Sequence, residues 1–228
     1  MFSAFFLIIL ITLFSSACSG SDPAITDARW RLTAFRDTHS GVTGEYLGLA
    51  VLAVDDDGLD DLESISLISD EHELYWQASV EDWVVRQIRQ QSWIVLEKLA
   101  VPDNVVPRGA YRIILRDYSG AQAESSFSVT ASPELPESFP SLLPSEGTGG
   151  DIVLDTPRSE SILMIRSEGG VLLGSFTLRK GLNSRISILA NEQIRSQARE
   201  LYLYEQGSAG RHSILAGPWS AEDYLFPD

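Results

Sequence analysis

The chain has 228 residues, an apolar fraction of 44% and a formal net charge of −15. Its length suits one large domain or two small ones, and its apolar fraction is ordinary for a folded protein. The negative charge argues against a nucleic-acid partner and against docking on anionic lipid head groups, because both require clustered Lys and Arg.

The first twenty residues, MFSAFFLIILITLFSSACSG, combine an apolar run with small residues and a cysteine. The run from Ala4 to Phe14 has the length of a signal-peptide core and is short for a membrane span. Residues 15–17 followed by Cys18 resemble the lipobox of bacterial lipoproteins, in the relaxed form found in spirochaetes. No Lys or Arg precedes the run, and Ser15 stands where the strict box has Leu.

The resemblance implies that residues 1–17 are a signal peptide, removed before Cys18 carries diacylglycerol as the new N-terminus. Residues 18–27 are then a lipidated polar tether. An uncleaved N-terminal anchor is the alternative. Either interpretation puts the rest of the chain outside the cytoplasm, membrane-anchored at the cell envelope. Since Cys18 is the single cysteine, an intramolecular disulfide and a thiolate zinc site are excluded.

Short alternating or apolar runs follow, separated by turn residues, and this spacing is typical of an antiparallel β-sandwich. The predicted strands cover residues 28–35, 45–54, 62–68, 73–78, 83–88, 93–99, 110–117 and 123–129. No strong helical period interrupts them. The sequence therefore predicts a mostly β fold whose first domain spans residues 28–130.

Two motifs within this domain resemble bacterial immunoglobulin-like and fibronectin-III-like modules. The first is G-x-Y-x-I-x-L-x-D-x-x-G, formed by Gly109, Tyr111, Ile113, Leu115, Asp117 and Gly120. The second resembles the module pattern V-x-D-x-D-G-x-x-D-L-x-S-I, with one position fewer before the glycine and with Asp55 as an additional acid; its residues are Val54, Asp56, Asp57, Gly58, Asp61, Leu62, Ser64 and Ile65. The resemblance implies an Ig-like sandwich and leaves function open, because such modules serve many roles.

Residues 131–150 contain four of the ten prolines and predict an extended linker that packs through Phe139, Leu142 and Leu143. Residues 151–228 predict a smaller β-rich domain. Its expected strands include residues 185–189. One short helix is expected after an N-capping Asn191. The aromatic C-terminal segment is interpreted as docked on this domain.

The stretch AVDDDGLDDLESISL, residues 53–67, is the strongest candidate for a metal site because six carboxylates lie between positions 55 and 63. An EF-type calcium loop is excluded, because a register that places Gly58 at position six puts Ala53 and Ser64 at the end-ligand positions. A looser site from Asp55, Asp57, Asp60 and Asp61 remains open. The alternative is an acidic turn between two strands.

Three tryptophans, Trp76, Trp83 and Trp93, lie on consecutive predicted strands. Facing outward, they would form a stacking platform for a sugar or another partner. Facing inward, they would belong to the core, which their apolar neighbours favour. The histidines are isolated, and nucleophile-elbow and phosphate-loop motifs are absent.

These observations predict a non-enzymatic envelope lipoprotein with a binding or scaffolding role. Its partners would be the membrane, through acylated Cys18, and a protein or carbohydrate at the envelope. The alternative is a carbohydrate- or ligand-binding module that uses the tryptophans. A hydrolase without a recognisable motif is the third hypothesis. No cofactor and no catalytic residue are predicted.

Overall fold

The computed structural model describes residues 21–130, 136, 138–143, 151–207 and 210–226. Strands dominate these residues, and only short helices accompany them. This confirms the predicted mostly β fold class. None of the described helices has the length and apolar character needed to cross a membrane.

The eight strands predicted in the first domain all occur, with ends shifted by a few residues. They are β1 (Ala24–Asp37), β2 (Thr43–Val54), β3 (Leu62–Ser69), β4 (Leu74–Ser79), β5 (Val84–Ile88), β6 (Gln91–Ala100), β7 (Gly109–Asp117) and β8 (Gln122–Val129). A 3-10 turn at Leu59–Asp61 precedes β3. The start of β1 at Ala24 falls inside the predicted tether of residues 18–27.

Seven more strands and three α-helices follow in the rest of the described chain. The strands are β9 (Ser141–Leu143), β10 (Asp151–Asp155), β11 (Glu160–Arg166), β12 (Leu172–Arg179), β13 (Gly181–Ser184), β14 (Glu200–Gln206) and β15 (His212–Ser220). The helices are α1 (Ile186–Leu189), α2 (Glu192–Gln197) and α3 (Ala221–Leu225).

The described residues form two compact units that do not follow the predicted boundary at residue 130. The first unit takes residues 21–29, 50–96 and 109–128, and the second takes the remainder. The reason is that β1, β2 and β6 are long strands that contribute residues to both units. A sequence pattern predicts the position of a strand. It does not show which residues of that strand pack in one hydrophobic core and which pack in the next.

The first unit contains the antiparallel sheet β4-β3-β7-β8 and parts of a second sheet in the order β1-β2-β6-β5. These orders match the ABED and CFG pairing of an Ig-like sandwich, with β4 as an additional strand beside β3. Alternate residues of β7 are fully buried, namely Tyr111, Ile113, Leu115 and Asp117. The Ig-like assignment itself stays a prediction.

The second unit contains the antiparallel run β12-β11-β14-β15, with β1 parallel to β15, and the small sheet β13-β10-β9. Leu142 of β9 is 3% exposed and belongs to the core of this unit, so the predicted linker packs as expected at this residue. Trp219, Tyr224 and Phe226 pack against the same core, in agreement with a docked C-terminal segment.

The helix predicted after Asn191 occurs as α2, and the Asn191 side chain accepts hydrogen bonds from the backbone N–H groups of Gln193 and Ile194. The strand predicted over residues 185–189 is wrong, because α1 occupies Ile186–Leu189. Ile188 is buried there while Ile186 is 79% exposed. A short apolar run fits either element, and its packing decides between them.

Candidate functional site

The acidic stretch forms a tight turn between β2 and β3. Its backbone is closed by a hydrogen bond from the Gly58 N–H to the Asp55 carbonyl at 3.1 Å, and by one from Asp61 N–H to the Gly58 carbonyl at 3.2 Å. Gly58 has a φ of 99°, which a residue with a side chain rarely adopts. The predicted strand-to-strand turn is therefore present.

Ser21 fastens the start of the described chain to this turn. Its hydroxyl donates to Asp55 Oδ1 at 3.0 Å and accepts from the Asp56 N–H at 2.9 Å. Its own N–H donates to Asp57 Oδ2 at 2.7 Å. Asp55 Oδ1 also accepts from the Asp57 N–H at 2.9 Å. One oxygen of Asp55 is thus committed to the turn.

Asp117 reaches the turn from the end of β7. It continues the inward-facing series of that strand and is fully buried, because successive side chains of a strand alternate between its faces. Its Oδ1 accepts hydrogen bonds from the Ser119 hydroxyl and the Ala121 N–H, each at 2.8 Å. These bonds shape the β7–β8 hairpin.

Strand pairing brings Asp117 beside Asp61. In the antiparallel register of β3 and β7, Leu62 lies opposite Asp117. The Tyr118 N–H donates to the Asp61 carbonyl at 3.0 Å and joins the two turns. Asp55, Asp61 and Asp117 each place one carboxylate oxygen within 4.8 Å of the other two. We call these three residues the acidic cluster.

The acidic cluster contains two of the four predicted ligands. Asp55 and Asp61 belong to it, whereas the exposed Asp60 does not. Asp57 is also outside the cluster and holds Ser21 through its Oδ2. Asp117 was missed as a ligand because it was assigned to the Ig-like motif. Its place in the series Tyr111, Ile113, Leu115 was the available signal that its carboxylate is buried.

The cluster raises the pKa of Asp61 above its ordinary value of 3.8. Partial burial is the largest cause, and the negative charges of Asp117, Asp55 and Asp57 add to it. Every charge identified as acting on Asp61 is therefore negative. The arrangement is that of an electron-rich oxygen site, and carboxylates grouped in this way are the ligands of hard cations.

Without added metal, we expect the Asp61→Asn variant to be more stable than the native chain at pH 7. The raised pKa means that the folded state favours protonated Asp61. The native fold therefore has its full contribution from Asp61 below pH 3.8 and loses that contribution as the pH rises through the raised pKa. Thermal unfolding in chelator between pH 3.5 and 7.5 measures the difference. The difference in Tm between the variant and the native chain should decrease as the pH is lowered toward 3.5. A variant less stable than the native chain at pH 7 would contradict the expectation.

The tryptophans do not form an exposed stacking platform among the described residues. Trp93 and Trp83 are only 2% and 8% exposed. Trp76 is half-buried, with its ring centroid 6.2 Å from that of Tyr111. The Arg29 guanidinium lies 4.6 Å from the centre of the Trp93 ring. These side chains serve the core, because a sandwich interior is filled by large inward-facing residues of both sheets.

Cys18 lies outside the described residues, and Ser21 is the nearest described position that follows it in the chain. Comparison of the sequence with protein-family models and with curated proteins finds no match.

Proposed function

We propose that this chain is a cell-envelope lipoprotein, anchored through acylated Cys18, with a non-enzymatic binding or scaffolding role. The observation that carries the proposal is that hydrogen-bonded structure is described from Ser21 onward, three positions after the predicted lipidation site in the sequence. Ser21 is already hydrogen-bonded to the turn at Asp55–Asp57. Strand β1 then begins at Ala24.

The distance from the lipid to the folded part is short under this proposal. Ser21 is three positions after Cys18, and a fully extended chain covers at most about 3.5 Å per residue, or about 10 Å in all. The first unit would therefore be held at the membrane surface, with little freedom to move away. Such a position suits a protein that presents a binding surface beside the bilayer.

The charge of the chain supports a lipid anchor over electrostatic docking. A net charge of −15 is repelled by anionic head groups, so membrane attachment has to come from buried hydrocarbon. A protein partner is favoured over a carbohydrate, because Trp83 and Trp93 are buried and cannot stack on a sugar without unfolding their surroundings.

The proposal is tested with the Cys18→Ala variant of the full chain, expressed in a bacterial host that processes lipoproteins. We expect the native protein to begin at Cys18, to carry the mass of the acyl chains and to sediment with membranes. The variant should retain Met1 and lack the acyl mass, because acylation needs the thiol. Intact mass spectrometry and membrane fractionation measure both properties.

Ser19→Ala is the matched control, since it alters the neighbouring residue and keeps the thiol. It should be processed and acylated as the native chain is. The proposal would be overturned by a native protein that retains Met1, lacks the acyl mass and fractionates as Cys18→Ala does. The N-terminus would then be an uncleaved anchor.

A further inference from the structure

We propose that Asp55, Asp61 and Asp117 bind one calcium ion between the β2–β3 turn and the end of β7. The inference comes from the juxtaposition of three carboxylates within 4.8 Å together with a fully buried acid, one of whose oxygens has no hydrogen-bond partner in the described part of the chain. It does not depend on lipidation of the chain. It replaces the predicted ligands Asp57 and Asp60 with Asp117.

Asp117 is the observation that points to a ligand. Its side chain is 0% exposed, and its Oδ2 has no hydrogen-bond partner among the described residues. The other oxygen is satisfied by Ser119 and Ala121, so the side chain cannot turn without breaking the hairpin. A buried carboxylate oxygen without a partner is costly, and native proteins normally pair it or place it on a metal.

Asp55, in the β2–β3 turn, shows the same arrangement of one hydrogen-bonded and one unpaired oxygen among the described residues. Its Oδ1 accepts from Ser21 and Asp57, while its Oδ2 is buried and has no hydrogen-bond partner among the described residues. Two acids from separate turns thus each use one oxygen to fix the backbone and leave the other free. Asp61, joined to the second turn through its carbonyl, supplies the third carboxylate.

The donor set selects the class of ion. Three carboxylates and no nitrogen or sulfur donor suit a hard cation rather than zinc or copper. At calcium–oxygen distances of 2.3–2.6 Å, two ligand oxygens on one ion are at most about 5 Å apart. For magnesium, at 2.0–2.1 Å, the limit is about 4.2 Å. The three oxygens all lie within 4.8 Å of one another, inside the calcium limit, and magnesium also demands near-ideal octahedral geometry, which calcium does not.

Calcium would also reinforce the attachment of Ser21 to the β2–β3 turn. Asp55 would then bind the ion through Oδ2 while Oδ1 holds the Ser21 hydroxyl. The ion would offset the repulsion among the acids, so this corner of the first unit would be more stable when calcium is bound. The expected dissociation constant is about 10⁻⁴ to 10⁻³ M, the range of extracellular calcium modules.

The test is calorimetric titration of the full chain in detergent with CaCl₂ after removal of metal by chelator, accompanied by thermal unfolding. We expect one ion per chain and a rise in Tm of about 5–10 °C at a hundredfold excess over the dissociation constant. MgCl₂ should bind at least tenfold more weakly. The Asp117→Asn variant keeps Oδ1 as an acceptor and should lose at least tenfold in calcium affinity.

Asp60→Asn is the matched control, because Asp60 is a neighbouring exposed acid outside the cluster. Its affinity should stay within threefold of native. Asp61→Asn provides a second loss variant should Asp117→Asn fail to fold. The proposal is overturned if the native chain shows neither binding heat nor a Tm shift at 10 mM calcium. It is also overturned if Asp60→Asn weakens binding as much as the cluster variants do.

Discussion

Replacement of Trp93 by alanine is expected to lower the free energy of unfolding by about 3–5 kcal/mol, the range for truncation of a large buried aromatic side chain. The ring is 2% exposed, and the Arg29 guanidinium covers it at 4.6 Å. Truncation leaves a cavity that the neighbouring strands cannot close, because protein interiors are closely packed. Urea unfolding of the full chain in detergent, followed by circular dichroism, measures the loss.

Trp93→Phe should recover at least half of that loss. The indole N–H has no hydrogen-bond partner among the described residues, so its removal sacrifices no such bond and eliminates an unsatisfied donor. Val85→Ala, on the adjacent strand β5 at an exposed position, is the control and should change stability by no more than about 0.5 kcal/mol. An equally small effect of Trp93→Ala would mean that the ring is available for a ligand.

Replacement of Arg108 by methionine is expected to cost about 3 kcal/mol, at the lower end of the range for breaking a buried ion pair. Glu45 is 4% exposed, and both of its oxygens accept hydrogen bonds from the Arg108 guanidinium, at 2.7 and 2.8 Å. Removal of Arg108 leaves this carboxylate buried, and among the described residues the Val106 N–H, at 3.1 Å, is the hydrogen-bond donor that remains. The lower end applies because Arg108 remains partly exposed.

A double-mutant cycle distinguishes loss of the ion pair from loss of packing. Glu45→Gln removes the charge and keeps an acceptor for Val106, so we expect the double variant to be more stable than Arg108→Met alone. Equilibrium unfolding of the four proteins gives the coupling energy. If the two single effects simply add, the buried charge is not the cause of the destabilisation.

Strand positions in the first domain were predictable because each strand is a local pattern. An alternating run such as residues 62–68 buries one face, and turn residues mark its ends. Residues 185–189 were misassigned because five mainly apolar residues fit a strand or a helical turn equally well. Their helical form depends on how the segment packs around buried Ile188, which is information that the segment does not carry.

The division into units was not predictable for a related reason. Strands β1, β2 and β6 are continuous in sequence, and each contributes to both units. No turn residue or change of composition marks the point within β1 where Arg29 ends one unit and Trp30 begins the other. A boundary of this kind is set by which side chains share a core, and that is a property of the folded chain.

The sequence by itself determined the β-rich class, the acidic turn at residues 55–61 and the placement of Cys18 after an apolar run, because each depends on neighbouring residues. Only the tertiary structure decided which acids meet. Asp117 lies 56 residues after Asp61 in the chain, and the antiparallel register of β3 and β7 brings them together. Tertiary packing likewise decided that Trp83 and Trp93 belong to the core, since alternation along a strand separates two faces and does not identify which one is covered.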